Sequence, residues 1–156
     1  MALAMNSFIA KINPTVSENC PFRHKIETLV HCYLDCHRLR VLYHILKTVF
    51  LNCGEVWSES AFIFDDGYDK ENSKNWCLLN FVVGQAKMAV YRSRKNQVEG
   101  EAGLGLAEMF GVQARVRVDF RYHSLMGTME EFRDLWCFTS AVCTVQEGKL
   151  FFNSVF

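Results

Sequence analysis

The sequence predicts a mainly α fold: three or more helices, a knuckle-like Cys/His segment near the N-terminus and a short C-terminal β-hairpin. Three observations carry this. Long stretches free of Gly and Pro repeat apolar residues at intervals of three and four, which is the period of a helix with one buried face. The segment "CPFRHKIETLVHCYLDC" concentrates Cys and His, and the chain ends in two β-branched or aromatic runs around "QEGK". With 156 residues, half of them hydrophobic and 13 of them Phe, the chain has enough apolar surface for one core. The expected organisation is a knuckle segment with its first helix over 1–54 and a helical tail over 55–156 packed on it, together one compact domain.

Residues 1–19 hold Asn13-Pro14, Ser17 and Asn19 and predict an irregular or partly helical lead-in. Between Glu27 and Leu51, Leu29, Cys32, Leu39, Leu42, Tyr43, Leu46 and Phe50 recur at helical intervals, giving one long helix or two broken near Cys36. Gly54 ends it in a left-handed conformation. "AFIFDDGYDKENSKN" turns from apolar to polar and predicts a short extended piece followed by an exposed loop. A second helix is expected over about 73–96, with Trp76, Leu79, Val83, Ala86 and Val90 on one stripe. Leu78, Phe81 and Val82 make its first half apolar nearly all round, which places that half in the core and leaves the second half as a basic face.

After the Gly-rich "QVEGEAGLG", Leu106, Phe110, Ala114 and Val118 mark a third helix, although "VRVDF" also alternates like a strand. Thr128 followed by Glu131 has the spacing of a capping box and starts a short helix through Trp136. The terminal runs around Gln146-Glu147-Gly148-Lys149 predict the hairpin.

Charge is balanced at 17 basic and 17 acidic residues, so any attraction to nucleic acid must come from a local patch. The first residues lack the basic and apolar regions of a secretion signal. "WCLLNFVVGQAKMAVY", interrupted by Asn80, Gln85 and Lys87, falls short of the ~18 apolar residues that span a bilayer. The expectation is a soluble intracellular protein, neither secreted nor membrane-bound. Seven cysteines, an odd number, argue against a disulfide framework. Cys53, Cys77, Cys137 and Cys143 sit among apolar neighbours and read as buried free thiols.

Cys20, Cys32 and Cys36 share a short segment with His24, His31 and His37. Zinc takes four N or S donors in a tetrahedron, usually as two closely spaced pairs. His31 and Cys36 form one pair; Cys20-Pro21-Phe22 opens another, but Arg23 stands where a second sulfur would and cannot ligate a cation. His24 supplies an imidazole one position later, giving the candidate set Cys20, His24, His31 and Cys36. The alternative is an ordinary helix bend with Glu27 and His31 paired at i,i+4.

Basic residues cluster twice: Lys87, Arg92, Arg94 and Lys95 around Tyr91, and Arg115, Arg117 and Arg121 beside Tyr122. Cations interleaved with rings suit phosphates and stacked bases; the alternative is a solvated helix end whose cations complement the dipole. Asp65-Asp66 reads as a solvated turn. Gly-x-Ser-x-Gly is missing, and "GLGLAEMFG" lacks the Lys-Ser or Lys-Thr of a phosphate loop, so no enzyme is visible.

"CPFRHKIETLVHCYLDC" resembles the zinc-binding segment downstream of the polymerase in LINE-type, non-LTR retrotransposon reverse transcriptases, whose pattern is Cys-Pro-x-Cys, a spacer, Glu-Thr-x-x-His, four residues and Cys. Glu27, Thr28, His31 and Cys36 match it in register, and Arg23 departs from it. "NFVVGQAKMAVYRSRKN", "ARVRVDFRYHSLMG" and "WCFTSAVCTVQEGKLFFNSVF" extend the resemblance to the C-terminal tail of the second-open-reading-frame polyprotein, from about Met5 to Phe156. The resemblance implies a non-catalytic fragment with a structural zinc, RNA or DNA as partner, and a polymerase region of the parent polyprotein as a second partner. The alternative is a protein-interaction module or a translated relic without retained activity.

Overall fold

The computed structural model describes residues 5–64, 74–96 and 103–156. The chain is mainly α-helical, with two short antiparallel hairpins, one of them C-terminal. Among the described residues six α-helices run in the order α1 (Asn6–Ile12), α2 (Arg40–Asn52), α3 (Glu59–Phe64), α4 (Lys74–Asn96), α5 (Gly103–Met126) and α6 (Met129–Trp136). Strands β1 (Asn19–Cys20) and β2 (Arg23–Ile26) pair between α1 and α2; β3 (Cys143–Gln146) and β4 (Lys149–Phe152) pair after α6.

Helix α4 is the axis of the core. Leu78, Leu79, Val82, Val83, Ala86, Ala89 and Val90 are all buried, too wide an arc for a single neighbour to cover. It is enclosed by α2, α5 and α6. Helix α2 contributes Leu42, Ile45, Leu46, Val49 and Phe50; α5 contributes Val112 and Val116; α6 contributes Phe132 and Trp136. Aromatic edges fill the gaps: Phe50 meets Trp57 at 5.2 Å and 89°, and Trp136 meets Phe81 at 5.2 Å and 84°. Edge-to-face geometry sets a ring's positive rim against its neighbour's negative face.

The expected helices form, the strand alternative for "VRVDF" is not taken up, and three local details differ. The segment 59–64 is helix α3 rather than extended: Phe62 is fully buried among Tyr43, Trp57 and Tyr33, and its amide bonds the Ser58 carbonyl. "VRVDF" continues α5, because burying Val112 and Val116 four apart, with Val118 exposed, serves a helical face and not a pleat. Thr128 precedes α6 without a side-chain cap; its hydroxyl pairs with His123 Nδ1 at 2.7 Å instead. Cys77 is exposed and Cys137 half-buried, whereas Cys53 and Cys143 are buried. Asp65 and Asp66 lie outside the described residues.

Turns follow their residues. Gly54 adopts φ 74° after α2, and Glu147 and Gly148, with φ 49° and 72°, make the two-residue turn of β3–β4. Two consecutive left-handed residues give the twist that antiparallel strands need. Among the described residues no helix is long and apolar enough to cross a membrane.

Truncating Phe50 to Ala removes a ring packed on both Trp57 and Trp76. It should lower stability by about 3–5 kcal/mol in urea unfolding followed by circular dichroism. Leu125→Ala, at a side chain 87% exposed, should change it by less than about 0.5 kcal/mol.

Candidate metal centre

The Cys/His segment is built on two side chains that ligate nothing. Glu27 is 2% exposed, and its carboxylate accepts the Asn6 amide at 2.8 Å, satisfying a free N–H in the first turn of α1. Ser7 Oγ donates to the Glu27 carbonyl at 2.8 Å, fastening the same point twice. Thr28 Oγ1 accepts the amide of His31 at 3.0 Å, and the Thr28 carbonyl accepts that of Cys32. Thr28 thus starts the turn that carries His31.

That turn, His31–Asp35, is a π-helix. In an ordinary α-helix five residues rotate by about 500°, leaving positions 31 and 36 about 140° apart. Widening the turn closes the gap, and the Cys36 amide bonds the His31 carbonyl at 3.0 Å. Cys36 then leaves the helix in an extended conformation, and a 3₁₀ turn, His37–Leu39, leads into α2.

On the other side, β1–β2 is a tight hairpin in which Cys20 pairs with Arg23. The candidate donor atoms of Cys20, His31 and Cys36 all lie within 4.8 Å of one another, and the three residues are buried. His31 Nε2 is buried without a hydrogen-bond partner. An unpaired buried imidazole nitrogen beside two sulfurs is costly unless it binds a proton donor or a metal. The donor set, two thiols and one imidazole, is the soft and borderline chemistry that zinc prefers.

His24 stands outside this group, at an exposed position of β2, and Arg23 opposite Cys20 is exposed too. In a strand adjacent side chains alternate, and the four-residue register of the hairpin puts position 23, not 24, across from Cys20.

Arg38 was not anticipated. Its guanidinium lies 3.3 Å from the centroid of the Phe22 ring, and its Nη2 donates to Ser93 Oγ of α4 at 3.0 Å. Burial pulls the Arg38 pKa down, opposed by the nearby Cys36 and Cys20 sulfurs. Burial likewise pushes the Cys36 thiol up, while the Arg38 backbone N–H, hydrogen-bonded to that sulfur, works the other way. The group borders a cavity of about 30 Å³ between Cys20, Phe22, Cys36, Arg38 and Ser93, room for one water-sized occupant.

The basic residues divide by surroundings. Lys87 is half-buried with its ammonium 5.7 Å from the Phe62 ring, the snorkelling position its apolar stripe suggested. Tyr91 is half-buried and Arg92 exposed; Arg94 and Lys95 fall in the last turn of α4, their side chains outside those described. On α5, Arg115 pairs with Asp119 at 3.2 Å, Arg117 lies 5.2 Å from the Phe152 ring, and Arg121 is exposed.

Fold and site together define a small, mainly α-helical module organised at one end around a buried Cys₂His group. No family model and no solved structure matches the chain. It is 28% identical over 146 residues to an uncharacterized 149 kDa protein of transposon TX1 from Xenopus laevis, covering 92% of this chain. That similarity supports a transposon origin. The chain spans about a tenth of the relative's length, 11%.

His31→Ala should weaken zinc binding by more than the roughly 10–100-fold that loss of an outer-shell partner costs, whereas His24→Ala should leave it unchanged. Competition with a chromophoric chelator measures both.

Proposed function

We propose that the chain is a non-catalytic module of a LINE-type reverse-transcriptase polyprotein that binds RNA or DNA, with a structural zinc held by Cys20, His31 and Cys36. The observation that carries this reading is the buried group of three donors with an unpartnered His31 Nε2, in a chain similar over 92% of its length to a transposon protein. When bound, zinc supplies a crosslink between the β1–β2 hairpin and the turn that enters α2. Three protein donors leave one tetrahedral position, which a water in the adjoining cavity suits.

The Cys/His segment and the basic-sequence end of α4 are adjacent along the fold. Arg38, two residues after Cys36, bonds Ser93, and Ser93 sits in the turn of α4 that bears Arg92, Arg94 and Lys95. Holding Ser93 fixes the backbone of that turn, and a turn held in place costs less to order on binding phosphates than a loose one. Tyr91 adds a ring in the same turn for base stacking.

A second reading has its own support. Val118, Tyr122, Leu125 and Met126 are exposed along α5, an apolar stripe suited to a protein partner such as the polymerase region of a parent polyprotein.

Electrophoretic mobility of a structured RNA at graded salt tests the first reading. Binding should weaken with salt, and Arg92→Ala, Arg94→Ala and Lys95→Ala combined should reduce the log–log salt slope by about 2. Salt-insensitive or absent binding would sink the nucleic-acid role. Concentration-dependent association in sedimentation, without RNA affinity, would favour the second reading.

A further inference from the structure

A second pair of sulfurs lies outside the Cys₂His group. Cys137 follows the last residue of α6 and Cys143 opens β3, and their Sγ atoms stand 3.8 Å apart. Bond formation requires contraction to about 2.05 Å, a movement within reach of side-chain rotation and small backbone shifts. Cys143 is fully buried, with its sulfur 3.5 Å from the Trp136 carbonyl, whereas Cys137 is half-buried.

The link between them is held in an unusual shape. Thr139 and Ser140 adopt φ 55° and 54°, a left-handed pair without glycine. That shape turns the chain back so that the sulfurs meet, and it is fastened from outside. Asn153 donates its amide to the Val142 carbonyl at 2.9 Å and its Nδ2 to the Ser140 carbonyl at 3.2 Å. Cys53 Sγ contacts Thr139 Oγ1 at 3.7 Å.

We propose that Cys137 and Cys143 form a dithiol site that a low-molecular-weight disulfide, such as glutathione disulfide, oxidises to an intramolecular bond joining α6 to the terminal hairpin. The Cys137 thiolate attacks one sulfur of the reagent, forming a mixed disulfide and releasing one glutathione thiolate. Cys143, giving its proton to solvent or to that thiolate, then attacks the Cys137 sulfur and expels the second. Two protein thiols are oxidised and one reagent disulfide becomes two thiols, so electrons and protons balance.

The environment assigns the two roles. Hydrogen bonding from Cys143 holds the Cys137 thiol below its ordinary pKa, with Arg133 acting in the same direction, and the same contact together with burial pushes Cys143 up. The thiol that ionises more readily is the one that solvent reaches, which is the arrangement of an attacking and a resolving sulfur.

The zinc-loaded full chain, treated with glutathione disulfide at neutral pH, quenched by alkylation and mapped by peptide mass, tests this. The expected product links Cys137 to Cys143, with Cys137 consumed at least as fast as the exposed Cys77. Cys143→Ser should stop at a glutathione adduct on Cys137, and Cys137→Ser should leave Cys143 free. In urea the pairing rate should fall at least tenfold, since proximity in sequence alone then remains. Cys137 staying reduced while Cys77 reacts, an adduct that persists on native Cys137, or equal pairing rates in folded and unfolded chain would each overturn the proposal. The native-chain arms stand even where a serine variant fails to fold, and none depends on nucleic acid.

Discussion

The burial of α4 is the constraint from which the rest of the arrangement follows. A helix apolar on one stripe can lie on the surface of another element, but Leu78 and Leu79 with Val82 and Val83 face more than one way. Fully burying such side chains is worth about 1.5–3 kcal/mol each, which is realised only if water is excluded on every side. Helices α2, α5 and α6 do this; α2 and α6 are amphipathic in the ordinary sense, whereas α5 buries Val112 and Val116 and leaves Val118, Tyr122, Leu125 and Met126 outward. Further along α4 the polar Ser93, itself buried, meets Arg38 rather than an apolar wall. The change from an apolar to a polar partner along one helix marks where core ends and the Cys/His segment begins.

Periodicity made the helices legible because burial on one face leaves a regular mark at spacings of three and four. The first half of α4, the break near Cys36, the left-handed Gly54 and the Glu147-Gly148 turn all leave such local signatures. Helix α3 did not, since "AFIF" is short enough to fit either a strand or one helical turn, and only the aromatic pocket around Phe62 decides between them. At the site, Cys20, His31 and Cys36 were recognisable by residue type and by the Glu-Thr-x-x-His spacing. That His24 lies outside the group depends on a hairpin register that strands of two and four residues announce poorly. Arg38 carried no signal, because its partners Phe22 and Ser93 lie 16 and 55 residues away.

The segment's residues separate into those that hold shape and those that offer donors. Glu27 and Thr28 bind backbone amides, and Phe22 and Arg38 stack, without a metal entering any of these contacts. Such interactions, each worth about 1 kcal/mol net and more where a charge takes part, set the hairpin and the π-turn in place together. The donor atoms of Cys20, His31 and Cys36 then converge as a consequence of that frame. A zinc finger that lacks such support folds only when the ion closes it; here the cost of bringing these three side chains together is carried in part by the protein.

This division accounts for why Arg23 is compatible with the fold. Position 23 faces Cys20 across the turn, where a second thiolate would complete four protein donors, yet the arginine side chain turns to solvent and disturbs neither Glu27 nor the Phe22–Arg38 stack. Position 23 therefore bears on the number of donors more than on the architecture. A divalent ion held by Cys20, His31 and Cys36 would have its charge balanced by two thiolates, whereas a third would leave the group anionic beside the Arg38 cation. With two, the contacts of Arg38 that the fold uses are those with Phe22 and Ser93, which tie the segment to the last turns of α4.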